Sequence, residues 1–233
     1  MQNRHLTQKN SRKVFKILFS VSRKYFPKEN KIKEIFVAGC GKYAIEAIEI
    51  AKLMPKSEVT GLDIELEKNI VPPKNCELIK SDLQKIEFNK KFDLIYCFHV
   101  IEHIKNHHAV LKKISSLLSP SGVLIIGFPN INRIISYINP VNNKPILTKV
   151  KLNLNDYYKR LRGEFYSPSA HAGFSEARFR KITSHIFSIS IPLRTSYYIS
   201  KYPRFALLIK IIKKIGLDEF LFPSNYFLLK NEK

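Results

Sequence analysis

The stretch Glu34-Ile-Phe-Val-Ala-Gly-Cys-Gly-Lys-Tyr43, continued by Ala44-Ile-Glu-Ala-Ile-Glu-Ile-Ala51, constrains the fold more than any other part of the chain. A short apolar run breaks at Gly39 and Gly41, and an amphipathic helix begins at once. A strand that passes into a helix over two glycines presents backbone N–H groups and the positive helix end to whatever lies above the strand. Glycine suits such a loop because a Cβ would hold a ligand away from the backbone and would penalise positive φ. The same Gly-x-Gly also serves as a plain strand-to-helix turn, so the loop by itself does not separate a nucleotide-cofactor site from a structural one.

The residues beyond the loop narrow the choice. Glu58-Val-Thr-Gly-Leu-Asp-Ile64 is a second short apolar strand, and it ends on an acid, Asp63. An acid about twenty residues beyond the glycines is placed to accept hydrogen bonds from ribose hydroxyls, and otherwise serves as a helix cap or a solvated loop acid. Cys76 to Asp82 reads as a third strand, again closing on an acid, and Phe92 to Phe98 as a fourth, apolar enough to be central in a parallel sheet. A fifth runs from Gly122 to Phe128. Helical patterns cover 43–53 and Ala109 to Leu118, whereas Glu65 to Pro73 has room for one or two turns at most. This alternation calls for a doubly wound α/β sheet with right-handed crossovers.

Residues 129–170 break the rhythm with Pro129, Pro140, Pro145 and Pro168, and Lys144, Lys149, Lys151, Lys159, Arg160 and Arg162 make the segment basic. An irregular insert after a strand's carboxyl end lies where binding residues gather, and it reads as a substrate lid. Phe174 to Phe187 looks like a helix leading into a strand through Ile189 and Ile191; Arg204 to Lys214 is a basic amphipathic helix within 203–216; Asn225 to Lys230 is a terminal strand. At the other end, Val14, Ile17, Leu18, Val21 and Phe26 fall at helical spacing among Arg12, Lys13, Lys16, Arg23 and Lys24, an amphipathic helix stopped by Pro27. The expected organisation is an N-terminal helical extension over 1–30 and one domain over 31–233.

Charge bears on partners. A formal net charge of +21 from 40 Lys and Arg against 19 Asp and Glu favours an anionic membrane, nucleic acid or anionic substrate, unless it is only a lysine-rich background. Cys40, Cys76 and Cys97 are widely spaced and form no Cys-x-x-Cys pair, as small buried hydrophobes in a reducing compartment do. Lysines and arginines interrupt every N-terminal apolar run, so neither a signal peptide nor a membrane span is expected. The expected location is cytoplasmic, with peripheral docking at the inner membrane surface through the basic helices around Lys16 and Lys210.

Taken together, the motifs resemble a class I S-adenosylmethionine-dependent methyltransferase of the type that methylates oxygen on small molecules in quinone and glycan pathways. The resemblance rests on Val37-Ala-Gly-Cys-Gly41, on Asp63 and Asp82, on Phe92-Asp-Leu-Ile-Tyr-Cys-Phe-His-Val-Ile-Glu-His103, and on Leu117-Leu-Ser-Pro-Ser-Gly-Val-Leu-Ile-Ile-Gly-Phe-Pro-Asn130. It implies a Rossmann-like seven-stranded sheet with S-adenosylmethionine as cofactor. Ala38, Gly39, Cys40 and Gly41 would then face the methionine part, Asp63 and Ile64 the ribose, Asp82 and Leu83 the adenine, and Phe98 and His99 the sulfonium. Two positions depart from the family pattern: Val37 is often acidic there, and Tyr43 is often glycine.

A hydroxyl acceptor needs a general base, because a neutral oxygen is a poor nucleophile; His99, His103 and His171 are the candidates. Glu102 reads as support for the loop. His99-Val-Ile-Glu-His103 also fits the His-x-x-Glu-His pattern of inverted zinc peptidases, with Glu176 as a third ligand; within the methyltransferase pattern no metal is expected. The implied activity is O-methylation of a small or lipid-linked acceptor. The alternatives are an RNA methyltransferase, which the charge suits but no amino-directed or cytosine-directed motif supports, and a binding protein that keeps the fold without the transfer.

Overall fold

The computed structural model describes residues 2–26, 32–134, 145–162 and 173–231. Its elements are, in order, α1 (Gln2–Ser22), β1 (Glu34–Ala38), α2 (Ile45–Leu53), β2 (Glu58–Asp63), β3 (Cys76–Lys80), β4 (Phe92–Phe98), α3 (His107–Leu117), β5 (Leu118–Pro129), α4 (Ile146–Leu161), α5 (Glu176–Thr183), β6 (Ile189–Pro192), α6 (Arg194–Lys201), α7 (Ala206–Lys214), α8 (Asp218–Leu221) and β7 (Ser224–Lys230). The strands form one sheet in the order β3-β2-β1-β4-β5-β7-β6. The first five pair in parallel, and β7 runs antiparallel between β5 and β6. The order reverses between β1 and β4, and at such a switch point a doubly wound sheet opens a crevice above its strand ends.

The sheet is covered on both faces, which is why its central strands are nearly continuous apolar runs. Because side chains alternate along a strand, Ile35 and Val37 of β1 join Leu94 and Tyr96 of β4 on one face, packed with Ala47, Ile50 and Ala51 of α2. Phe36, Ala38, Ile95 and Cys97 join Val110, Leu111 and Ile114 of α3 on the other. Helix α1 lays Phe15 and Leu18 into the first of these layers, Phe15 edge-on to Tyr96, while Lys16 stays exposed. All three cysteines are buried and unbonded to one another.

The structure corrects three expectations. The segment read as irregular contains a 16-residue helix, α4, over Ile146–Leu161. Pro145 lies just outside it and caps it, its carbonyl accepting the Lys149 N–H, and no proline or glycine occurs from there to Leu161. Strand β5 opens at Leu118 and not at Gly122, with an irregularity in its pairing between Phe92 and Leu94, so the strand follows α3 without a loop. Helix α6 is an element the apolar pattern did not announce, because its buried residues are Arg194, Tyr197 and Tyr198. Arg194 is held there by Glu176, Asp218 and Asn225, partners distant in the sequence. Pro140, Lys144, Pro168 and His171 lie outside the described residues.

Candidate active site

A cavity of about 930 Å³ opens above the carboxyl ends of β1, β2 and β4. It is lined by the glycine loop, by Asp63 to Glu65, by Ser81 to Gln84, by Phe98 to Val100 and Glu102 to Lys105, and by Ser11 of α1. Nine of the ten cofactor-site residues expected from the sequence therefore lie together: Gly39, Cys40, Gly41, Asp63, Ile64, Asp82, Leu83, Phe98 and His99. Ala38 does not. As the last residue of β1 it obeys the strand alternation, points away from the cavity and is fully buried in the layer beneath α3.

The loop is shaped by backbone positions in the left-handed region, the glycines Gly39 at φ 74° and Gly41 at φ 77°, with Ala44 at φ 51° just before α2. A Cβ on Gly41 would project into open space, so conformation alone asks for glycine there. Gly39 is constrained twice, because its Cβ would also sit 2.1 Å from Cγ2 of Val100. The N–H groups of Gly39 and Cys40 both donate to the Leu62 carbonyl, at 2.8 and 2.9 Å, which ties the loop to the end of β2. Gly39→Ala is expected to destabilise the protein by roughly 2–5 kcal/mol, the sum of a left-handed backbone penalty and overpacking. Adding Val100→Ala should recover only the packing share, as chemical denaturation of the single and double variants would show.

Asp63 completes the turn. Its Oδ2 accepts the Gly41 N–H at 2.7 Å and its Oδ1 accepts the Glu65 N–H at 2.9 Å. A carboxylate has about four lone-pair sites, so two bonds to the backbone leave capacity for a diol. Asp82 combines a lining position with a structural role: its Oδ1 accepts the Gln84 N–H at 2.8 Å and its carbonyl accepts from Lys85 and Ile86. Ile64 is 63% exposed, whereas Leu83 is buried. Tyr43, 39% exposed, and Lys42 stand at the mouth, with Lys42 3.5 Å from Glu67.

At the exit of β4 the chain turns sharply. His99 has φ 55°, an uncommon value for a residue with a side chain, and its N–H donates to the Gly127 carbonyl at 2.8 Å. Its ring is edge-on to Phe98, and its Nδ1 lies 3.0 Å from Oε1 of Glu102, whose side chain is almost wholly buried. Ile101–His103 form a short 3-10 turn, so His99 and His103 do not share the face of an α-helix that the zinc-peptidase geometry needs. Glu176, the third ligand of that reading, is taken up by Arg180 and Arg194. Among the described residues no three His, Cys, Asp or Glu side chains gather around a common point. His103 lines the same cavity, exposed at its rim.

For two acids in this site the structure shows an environment that the residue pattern does not give. Glu102 buttresses His99, not merely the loop, and its second oxygen, Oε2, is enclosed without a partner. Glu46 lies in the first turn of α2 and lines the cavity, with its Oε2 also enclosed and unpartnered. Burial, and then the nearby charge of Asp63, push its carboxyl up to about 8. In the sequence Glu46 and Glu49 look alike, two acids on one amphipathic helix; Glu49 pairs with Lys52 at 3.1 Å.

The residue patterns and the fold agree with comparisons to known proteins. A family model described as a methyltransferase domain matches residues 11–169. A ubiquinone biosynthesis O-methyltransferase of Rickettsia bellii is 28% identical over 103 residues, 44% of this chain and 41% of that enzyme. An (S)-coclaurine N-methyltransferase of Papaver somniferum is 31% identical over 96 residues, 38% of this chain and 27% of that enzyme. The matched stretches thus span less than half the length of these curated relatives. Among solved structures, the plantazolicin methyltransferase BpumL in complex with a triazolic desmethylPZN analog and SAH superposes with a TM-score of 0.62 over 97% of this chain and 86% of its own, at 16% identity.

Proposed function

Because the chain belongs to the methyltransferase-domain family, we propose that it transfers a methyl group from S-adenosylmethionine to a hydroxyl of a small or lipid-linked acceptor, with His99 as the general base. One observation carries this reading: a histidine backed by a buried carboxylate stands in the same cavity as the glycine loop and Asp63. The cavity's features fit the cofactor. Gly39, Cys40 and Gly41 present backbone to the methionine part, Asp63 keeps two acceptor sites for the ribose, Asp82 and Leu83 lie on the adenine side, and Phe98 and His99 flank the reacting group. Bound there, S-adenosylmethionine supplies a methyl group on positively charged sulfur, an electrophile whose leaving group departs neutral.

The chain's own work is alignment and one proton transfer. With Nδ1 facing Glu102, the imidazole tautomer carrying hydrogen on Nδ1 leaves Nε2 free to accept the acceptor's hydroxyl proton. The Glu102 carboxylate then balances the positive charge on the ring, the role of the orienting acid in any acid-histidine pair. His103 and His171 are not needed for this step.

A lipid-linked acceptor is supported by the surface of α7. Leu207, Leu208 and Ile211 are 73%, 53% and 47% exposed, while Ile209 is buried. Lys210, Lys213 and Lys214 interleave with them, the mixture that binds an anionic bilayer surface. Helix α1 differs from the expectation, since its apolar face is spent on the core. Among the described residues no helix is long and apolar enough to cross a membrane.

Titration calorimetry with S-adenosylmethionine and S-adenosylhomocysteine tests the activity's premise: both are expected to bind, and silence at millimolar ligand overturns the proposal. Sedimentation with phosphatidylglycerol vesicles, lost when Leu207, Leu208 and Ile211 are changed to serine, is the expected result for the surface. Sedimentation with RNA but not with vesicles would assign the charge to nucleic acid instead.

A further inference from the structure

Among the described residues, no cation pairs with the carboxyl group of Glu46. The residue is partly exposed, yet its Oε2 is sealed from solvent with no hydrogen-bond partner, and it lines the cavity directly after the glycine loop. Among the described residues, every ionisable group that couples to it is acidic: Asp63 of β2, Cys40 of the loop, and Tyr96 and Cys97 of β4. Across the cavity α1 contributes Ser11, which is neutral. A carboxyl oxygen enclosed beside acidic neighbours, with no basic partner among the described residues, stabilises the fold little, and its place in a cavity suits a cation brought by the ligand.

We infer that Glu46 is the counter-charge for the α-ammonium group of the cofactor's methionine part. The inference rests on the cofactor reading above and gives it a residue on the flank where Val37 supplies no acid. The position is apt, since the first turn of α2 adjoins Gly39, Cys40 and Gly41, the backbone assigned to that end of the cofactor. Without ligand the carboxyl is held protonated to about pH 8 by burial and by Asp63. An ammonium ion seated against it favours the ionised form, so binding at lower pH releases the proton from Glu46 to the buffer.

The test is calorimetry at pH 6.5 in two buffers of different ionisation enthalpy, with S-adenosylmethionine, S-adenosylhomocysteine and 5′-methylthioadenosine, which lacks the amino-acid part. Wild-type protein is expected to release close to one proton on binding either of the first two and none on binding the third. Glu46→Gln should abolish that release, weaken the first two ligands by about 10- to 100-fold, the range for a hydrogen bond between charged groups, and leave the third unchanged. His99 and His103 line the cavity too, and comparison with Glu46→Gln subtracts any contribution from them. Fold integrity is read from the ligand-free proteins: above pH 8 wild type carries an ionised, unpaired carboxylate and should melt below Glu46→Gln. Proton release by Glu46→Gln as large as that of wild type, or release with 5′-methylthioadenosine as large as with S-adenosylmethionine, or equal affinity of the two proteins for S-adenosylmethionine, overturns the inference while leaving the cofactor reading intact. Failure of all three ligands to bind wild type overturns the cofactor reading and this inference with it.

Discussion

Alanine in place of His99 is expected to lower the methyl-transfer rate by about 10²- to 10⁴-fold, the usual contribution of a positioned general base. The affinity for S-adenosylmethionine should change far less, because the loop, Asp63 and Asp82 would still hold it. A base and a packing residue differ in their pH behaviour. Loss of the base removes the fall in rate on the acid side, and single-turnover rates across pH with wild type and His99→Ala would show it. Glu102 is the positioning residue of the pair, 3.0 Å from Nδ1 and buried. Glu102→Gln preserves shape but not charge, so it should lower the rate and displace the acid limb of the profile while binding of the cofactor persists. A rate in His99→Ala within threefold of wild type would move the base elsewhere, and His171 would be the next residue to change.

Asp63→Ala is the second large effect. The carboxylate accepts from Gly41 and Glu65 in the ligand-free protein, and on the proposed reading also accepts the ribose hydroxyls. Removing a charged acceptor of two ligand hydrogen bonds costs about 1.5–3 kcal/mol for each bond, or roughly 10²- to 10⁴-fold in affinity. The Gly41 loop loses its tie as well, so 5′-methylthioadenosine, which keeps the ribose, should suffer alongside S-adenosylmethionine. That pattern separates Asp63 from Glu46, whose variant should spare the ligand without an amino-acid part. Asp63→Asn keeps one acceptor oxygen and should fall between. Unchanged affinity of Asp63→Ala for both ligands would mean that the ribose does not lie against β2.

Much of the site was legible because it is local. Gly39 and Gly41 are read from two backbone conformations that only glycine takes easily, and Asp63 and Asp82 from their places at strand ends. Ala38 falls outside the cavity lining because the alternation of side chains along β1 turns it to the buried layer beneath α3. The reading of 129–170 as irregular weighed its prolines and overlooked that Pro145 starts a helix as readily as it stops one.

The sequence by itself determined the alternation of strands and helices, the glycine turn and the acids around it, since each depends on neighbours a few residues away. Only the tertiary structure decided which of two similar glutamates in α2 is paired and which is sealed unpaired beside the cavity. It also turned Glu102 from a loop residue into the partner of His99, and sent α1 into the core while leaving the apolar face of α7 outside. The physical reason is common to all three: burial and the identity of a charged group's neighbours arise from chain segments brought together by folding, and neither is written in the spacing of residues along the chain.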